Sequence, residues 1–214
     1  MTREEVLTKL TQCGVVAVIR APSADVLVDI SKALVDGGVI GIEVTMSTPH
    51  AISAIEKVTA ACGAQAVIGV GTVLDAATCA DAIHAGAQFV VSPVLDTRII
   101  DTTRRLGRVA IPGALTPSEI FTSWTAGADV VKIFPATSMG PQYIKDLLAP
   151  MPFLRLTPTG GVSAKNTGEW IKAGAVMVGA GSTLVTKEAI AGKKWADITR
   201  NAHEFISAVN AARS

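Results

Sequence analysis

Glycine recurs along this chain at a near-regular interval, each time just ahead of a short apolar run. Gly37 precedes residues 39–44, Gly63 precedes 66–68, Gly86 precedes 89–91, Gly107 precedes 109–111, Gly127 precedes 130–131 and Gly174 precedes 176–178. The gaps between these glycines are 26, 23, 21, 20 and 47 residues, the last close to two units. A glycine in this position suits the left-handed residue that ends a helix before the next strand. The stretches between them are amphipathic and open on turn or capping residues, as in 23–36, 48–62, 75–85, 116–126 and 163–173. With the outer apolar runs 15–19 and 153–157, eight strands alternate with helices. Alternation of this kind predicts right-handed βαβ units and a parallel sheet. Units this short, repeated eight times, predict an α/β fold, a single (β/α)8 TIM barrel occupying 1–214 as one domain. Residues 2–12 are expected to form an extra N-terminal helix under the barrel and 195–212 a C-terminal helix. A doubly wound open sheet competes, but it would want a GxGxxG turn after the first strand, where the chain has Arg20-Ala21-Pro22-Ser23.

Charge and composition narrow the function. Nineteen basic against 18 acidic side chains leave a net charge of +1, so electrostatics gives no reason to expect a nucleic-acid or membrane-surface partner. No window is long and apolar enough for a membrane span, and the N-terminus lacks the layout of a signal peptide. Cys13, Cys62 and Cys79 share no CxxC spacing and read as reduced thiols in a cytoplasmic protein. His50, His84 and His203 lie far apart, none beside a cysteine, so no zinc site is expected.

One residue breaks the apolar pattern. Lys132 interrupts the strand-like run of 128–134, and burying an ammonium is costly unless it is paired or neutralised. A lysine made neutral by its surroundings attacks carbonyls and forms an imine. Glu43 stands in a similar position on the second strand, in Gly41-Ile42-Glu43-Val44-Thr45. Two readings stay open for this couple: a buried ion pair that neutralises two misplaced charges, or an imine lysine with a carboxyl that shuttles its protons. Asp129 falls at the start of the same strand and reads as structural.

Barrel chemistry gathers at the C-terminal ends of the strands. Those ends carry Arg20, Glu43 and Thr45, Gly71-Thr72, Ser92-Pro93, Pro112-Gly113, Lys132, Thr159-Gly160-Gly161 and Gly179-Ala180-Gly181-Ser182. The last two turns, on consecutive final strands, expose backbone N–H groups at helix starts, which suits a phosphate; either could also be only a turn. Arg20 fits a bidentate grip on a carboxylate or a salt bridge closing the barrel top. His84, Trp124, Trp170, Trp195, Lys145, Lys165 and Lys172 fall on helical stretches and read as packing or surface residues.

These motifs, taken in order, resemble the family of 2-keto-3-deoxy-6-phosphogluconate (KDPG) and 4-hydroxy-2-oxoglutarate (KHG) aldolases. The likeness is carried by residues 16–20, 41–45, 69–73, 91–93, 111–119, 131–136 and 158–162. The resemblance implies a class I aldolase: a homotrimeric (β/α)8 barrel without metal or other cofactor, acting on a phosphorylated keto acid and yielding pyruvate. By position, it assigns Lys132 to the Schiff base and Glu43 to acid/base work. Arg20 and Thr72 match residues near the substrate carboxylate, and Pro93 and Phe134 match pocket-lining residues. Gly160, Gly161, Gly181 and Ser182 match phosphate-binding positions. Many members carry an arginine four residues after the glutamate, where this chain has Ser47, so the preferred substrate stays open. The galactonate-derived phospho keto acid is the alternative. An isomerase barrel without imine chemistry is a second enzyme reading, and a non-catalytic binding barrel a third.

Overall fold

In the computed structural model, which describes residues 1–214, each expected apolar run contains or leads into a strand and each amphipathic stretch contains a helix. The strands are β1 (Val15–Ile19), β2 (Gly41–Thr45), β3 (Val67–Gly71), β4 (Phe89–Val91), β5 (Val109–Ile111), β6 (Gly113–Ala114), β7 (Val131–Ile133), β8 (Leu156–Pro158) and β9 (Val178–Ala180). The helices are α1 (Arg3–Cys13), α2 (Ala24–Asp36), α3 (Ala51–Cys62), α4 (Ala76–His84), α5 (Thr97–Arg105), α6 (Pro117–Thr125), α7 (Gly140–Leu148), α8 (Ala164–Lys172), α9 (Lys187–Ala191) and α10 (Trp195–Arg213). A 3₁₀ turn, Ala136–Ser138, follows β7.

All strand pairs are parallel. Six strands form a curled sheet in the order β5-β4-β3-β2-β1-β9, and three form a second, β6-β7-β8. Nine segments appear where eight strands were expected because Pro112, which has no N–H to donate, separates β5 from β6. A parallel bridge joins Thr159, just after β8, to Gly179 of β9. Across the other junction, the Ala110 carbonyl accepts the N–H groups of Asp129 and Val130.

Two cores follow from the period-two alternation of strand side chains. Outward-facing residues such as Ala17, Ile42, Val44, Val131, Ile133, Leu156 and Val178 pack with helix residues in a cluster of 50. Inward-facing Val16, Val67, Phe89, Val91, Val109, Ile111, Val130 and Met177 form a separate cluster of 10 with Val6 and Leu10 of α1. Helix α1 therefore plugs the N-terminal end, as expected. Its Arg3 reaches buried Asp129 at 3.3 Å, while Asp129 also accepts the Ala110 N–H at 2.9 Å, so Asp129 is structural.

The glycine rhythm holds in detail at four of six positions. Gly86, Gly107, Gly127 and Gly174 have positive φ, whereas Gly37 and Gly63 do not. After α2 the left-handed residue is Gly38, one place later, at φ 89°. The seventh strand starts later than expected, at Leu156: Phe153, half-exposed, instead packs its ring 6.0 Å from that of Trp124. The eighth likewise starts at Val178. No helix is long and apolar enough to cross a membrane.

Candidate active site

Lys132 and Glu43 are 5% and 3% exposed, and both face a small cavity directly above the inner core. Their positions follow from strand alternation. Val131 and Ile133 turn outward into the larger core, so Lys132 turns inward; Ile42 and Val44 do the same for Glu43. The cavity offers about 10 Å³, close to the room of a single water. Val16, Val91, Ile111 and Met177 form its apolar part, and Thr157, Thr159 and Gly179 complete it.

The two groups do not form a contact ion pair: Lys132 Nζ stands more than 4.0 Å from either Glu43 carboxyl oxygen. Glu43 Oε1 is buried without a hydrogen-bond partner. Burial pushes the Glu43 carboxyl above the ordinary carboxylate range, partly opposed by the charges of Lys132 and Arg20. Lys132 Nζ lies 4.8 Å from the centroid of the Phe134 ring, two residues along on the same face of the chain. Lys132 and Glu43 therefore influence each other through space without forming the contact ion pair that was one of the two readings of this couple.

Glu43 has room because β3 lacks side chains beside it. Glu43 pairs with Gly69 in register, and Thr45 with Gly71. A Cβ on Gly71 would fall on the Glu43 carboxylate itself. The next residue, Thr72, takes φ 61°, a left-handed conformation that is strained for a β-branched side chain. Strain of this kind costs about 1–3 kcal/mol and persists where surrounding structure fixes it. Opposite, Gly113 packs so closely that a Cβ would meet the Pro93 carbonyl oxygen at 2.5 Å, which holds the half-buried Pro93 against β6.

Arg20 leaves the end of β1 and donates Nε–H to Ser47 Oγ at 3.0 Å. Ser47 in turn lies 2.8 Å from Thr45 Oγ1, which donates to the Ile19 carbonyl. Ser47, at the position of the family arginine, thus orients the arginine of the first strand and leaves its remaining N–H groups free for another partner. Arg20 also lines a cleft with Val18, Gly181, Ser182, Val185 and Lys187. The turn at Gly160-Gly161 has φ of 99° and 72° and packs against Thr137 of the 3₁₀ turn after Lys132.

The structure thus gathers Lys132, Glu43 and Phe134 in one place, and Arg20 with Gly181 and Ser182 in another. Thr72 and Pro93 stand at the ends of the intervening strands. Two residues were not singled out from the sequence. Thr157 reads from the sequence as an ordinary strand residue before Pro158; alternation with outward-facing Leu156 is the signal that could have found it. Lys187 lies beyond the turn after β9, too far from the strand end to attract notice. The remaining residues fall as expected: His84, Lys145, Lys165 and Lys172 are exposed and Trp170 is buried. Cys13, Cys62 and Cys79 are free thiols. No three His, Cys, Asp or Glu side chains converge in a group that could hold a metal.

A buried lysine and a buried carboxyl without a direct partner, at parallel-strand ends beside glycine turns, define a site of the kind that lyases acting on carbonyl compounds use. Comparison with known proteins makes this specific. The family model for KDPG and KHG aldolase matches residues 6–201. A 2-dehydro-3-deoxy-6-phosphogalactonate aldolase of Escherichia coli is 34% identical over 81% of this chain and 85% of its own. A 2-dehydro-3-deoxy-phosphogluconate aldolase of Pseudomonas aeruginosa is 34% identical over 86% and 83%. The crystal structure of the KDPG aldolase of Legionella pneumophila, with pyruvate captured as a covalent carbinolamine, superposes with a TM-score of 0.86. It is 30% identical, over 92% of this chain and 96% of that one. The chain belongs to the KDPG and KHG aldolase family.

Proposed function

We propose that the protein cleaves 2-keto-3-deoxy-6-phosphogluconate reversibly to pyruvate and D-glyceraldehyde 3-phosphate through an imine on Lys132. The observation that carries this reading is the shared cavity: a buried amine and a buried carboxyl face the same space without pairing with each other.

The unprotonated Lys132 amine attacks the C2 ketone, and the nitrogen proton moves to the former carbonyl oxygen, giving a carbinolamine. Protonated Glu43 gives its proton to that hydroxyl, which leaves as water, and the C2–N bond becomes a protonated imine. Glu43, now a carboxylate, takes the C4 hydroxyl proton as the C3–C4 bond breaks. The bonding pair flows into the imine to form an enamine, and the aldehyde departs. Protonation of the enamine at C3 and hydrolysis release pyruvate and restore the amine. A carboxyl raised by burial holds its proton more firmly than an exposed one, so it can give that proton in one step and take one back in the next.

The turns at Gly160-Gly161 and Gly181-Ser182 suit the 6-phosphate, with Lys187 adding positive charge to the second, while Arg20 in the same cleft is assigned to the substrate carboxylate. Thr72, Pro93 and Phe134 are assigned to the carboxylate and pocket wall. Phosphate binding then positions the reacting carbons over Lys132. Within this reading the two sheets act as one closed (β/α)8 barrel, which the shared inner core, the Thr159–Gly179 bridge and the Ala110 hydrogen bonds support. A homotrimer and a cytoplasmic location belong to the same reading. The apolar group of half-exposed Phe121 and Phe153 beside Trp124 suits assembly, and the free thiols suit a reducing compartment.

Ser47 favours a second substrate reading, the galactonate-derived phospho keto acid, because it changes how a carboxylate or hydroxyl is met at that corner. 4-Hydroxy-2-oxoglutarate, split to pyruvate and glyoxylate, fits the same imine chemistry. Steady-state pyruvate release from the two phospho keto acids, with and without EDTA, tests the proposal. Turnover of the gluconate compound with undiminished rate in EDTA is expected. Loss of activity in EDTA would sink the metal-free mechanism, and turnover of the galactonate compound alone would reassign the substrate.

A further inference from the structure

Thr157 stands directly opposite Lys132 in the β7–β8 register. Its neighbour Leu156 packs into the outer core, so Thr157 faces the cavity that Lys132 and Glu43 share. It is 4% exposed, and its Oγ1 is buried without a hydrogen-bond partner. Glu43 Oε1 is the second such atom lining the same space. A buried hydroxyl without a partner is costly, and valine would fill the same volume at no such cost. Two orphaned oxygens around a space of about 10 Å³ define a site for one small oxygen species, which needs two to four polar partners.

We propose that Thr157 is a positioning residue for the proton relay: its hydroxyl and the Glu43 carboxyl together hold a single water beside Lys132. When the carbinolamine forms, the same hydroxyl orients the oxygen that must leave. Thr157 itself gains and loses no proton; it fixes the place of the group that Glu43 protonates. The inference rests on the imine reading and adds to it a residue on the strand next to the nucleophile. The charged groups acting on Glu43 are Lys132 on β7 and Arg20 beyond β1, and the cavity holds no other titratable side chain.

The test compares Thr157→Val, which keeps the shape, with Thr157→Ser, which keeps the hydroxyl. Three quantities are read: the rate of the borohydride-trapped pyruvate adduct, kcat against KM for the phosphorylated substrate, and the pH profile of kcat. The valine variant should fold normally and trap pyruvate roughly tenfold more slowly, the factor expected for one lost hydrogen bond. Its kcat should fall with KM little changed. The limb of the profile governed by Glu43 should move to higher pH, because the carboxylate loses a hydrating partner. Serine should restore the rate and the profile. If the valine variant does not fold, Thr157→Cys, with only a weak hydrogen-bonding group, gives the same comparison. A valine variant with wild-type rate and an unmoved limb, or a serine variant as impaired as valine, overturns the assignment of Thr157 alone. A wild-type protein that traps no pyruvate on Lys132 overturns the imine reading, and this one with it.

Discussion

Gly71→Ala places one methyl group where the proposed acid/base group must sit. Gly71 does not have a positive φ, so its backbone accepts alanine without strain. The added Cβ would overlap the Glu43 carboxylate and lie 2.6 Å from Glu43 Cγ. Carbon atoms in good contact stand roughly 3.5–4.0 Å apart, so the Glu43 side chain must retreat by about an ångström or more. A misplacement of about 1 Å is enough to cost roughly 100-fold in rate. Overpacking of this kind also costs about 1–3 kcal/mol of stability, a fall in Tm of a few degrees for a chain of this size. Gly69→Ala is the control. Its Cβ would meet the Phe89 ring at 2.5 Å, so the load from the same strand falls first on the inner core, not on the Glu43 carboxylate as it does at Gly71. Thermal denaturation and the pyruvate-release assay should show similar losses of Tm in both variants, with the 100-fold loss of kcat confined to Gly71→Ala. A Gly71→Ala protein with kcat within twofold of wild type would refute the reasoning, since a displaced Glu43 would then be dispensable.

Glu43→Gln should abolish turnover while the protein stays folded. Burial raises the carboxyl in the folded state above its ordinary value of 4.5, so the native state holds its proton to higher pH than the unfolded chain. Stability from this group is full below pH 4.5 and declines as pH rises through the folded-state value; the glutamine variant should lose that decline in denaturant titrations across pH. Stability that declines equally in both proteins would contradict the assignment of the burial cost to Glu43. Lys187→Met should raise KM for the phosphorylated substrate several-fold, the scale of one exposed charge contact, with pyruvate trapping unchanged. An unchanged KM would remove Lys187 from the phosphate grip.

Most of the architecture was legible because it depends on short-range patterns. Glycines ahead of apolar runs mark where helices stop, and the residue types at the strand ends mark where chemistry collects. Helices α5 and α7 were harder to single out. Helix α5 turns only Ile99, Ile100 and Thr103 inward, and α7 opens at Gly140-Pro141 without a side-chain cap. The division of the fifth strand at Pro112 follows from a missing donor, visible in principle from the residue alone. What could not be read was contact between strands distant in sequence. Whether Glu43 and Lys132 touch depends on register and side-chain reach, and they face one cavity without pairing. Ser47 looked like a lost arginine; its hydrogen bond to Arg20 connects residues 27 apart along the chain. Thr157 stayed hidden because its significance is the lack of a partner, which only packing reveals.

The central claim is that Lys132 is the nucleophile. Incubation with pyruvate and borohydride, followed by proteolysis and peptide mass spectrometry, reads it directly. A single reduced pyruvate adduct on Lys132, missing in Lys132→Met and slowed in Glu43→Gln, is the predicted result. An adduct on another lysine, or none in a protein that still releases pyruvate from its substrate, would contradict the account.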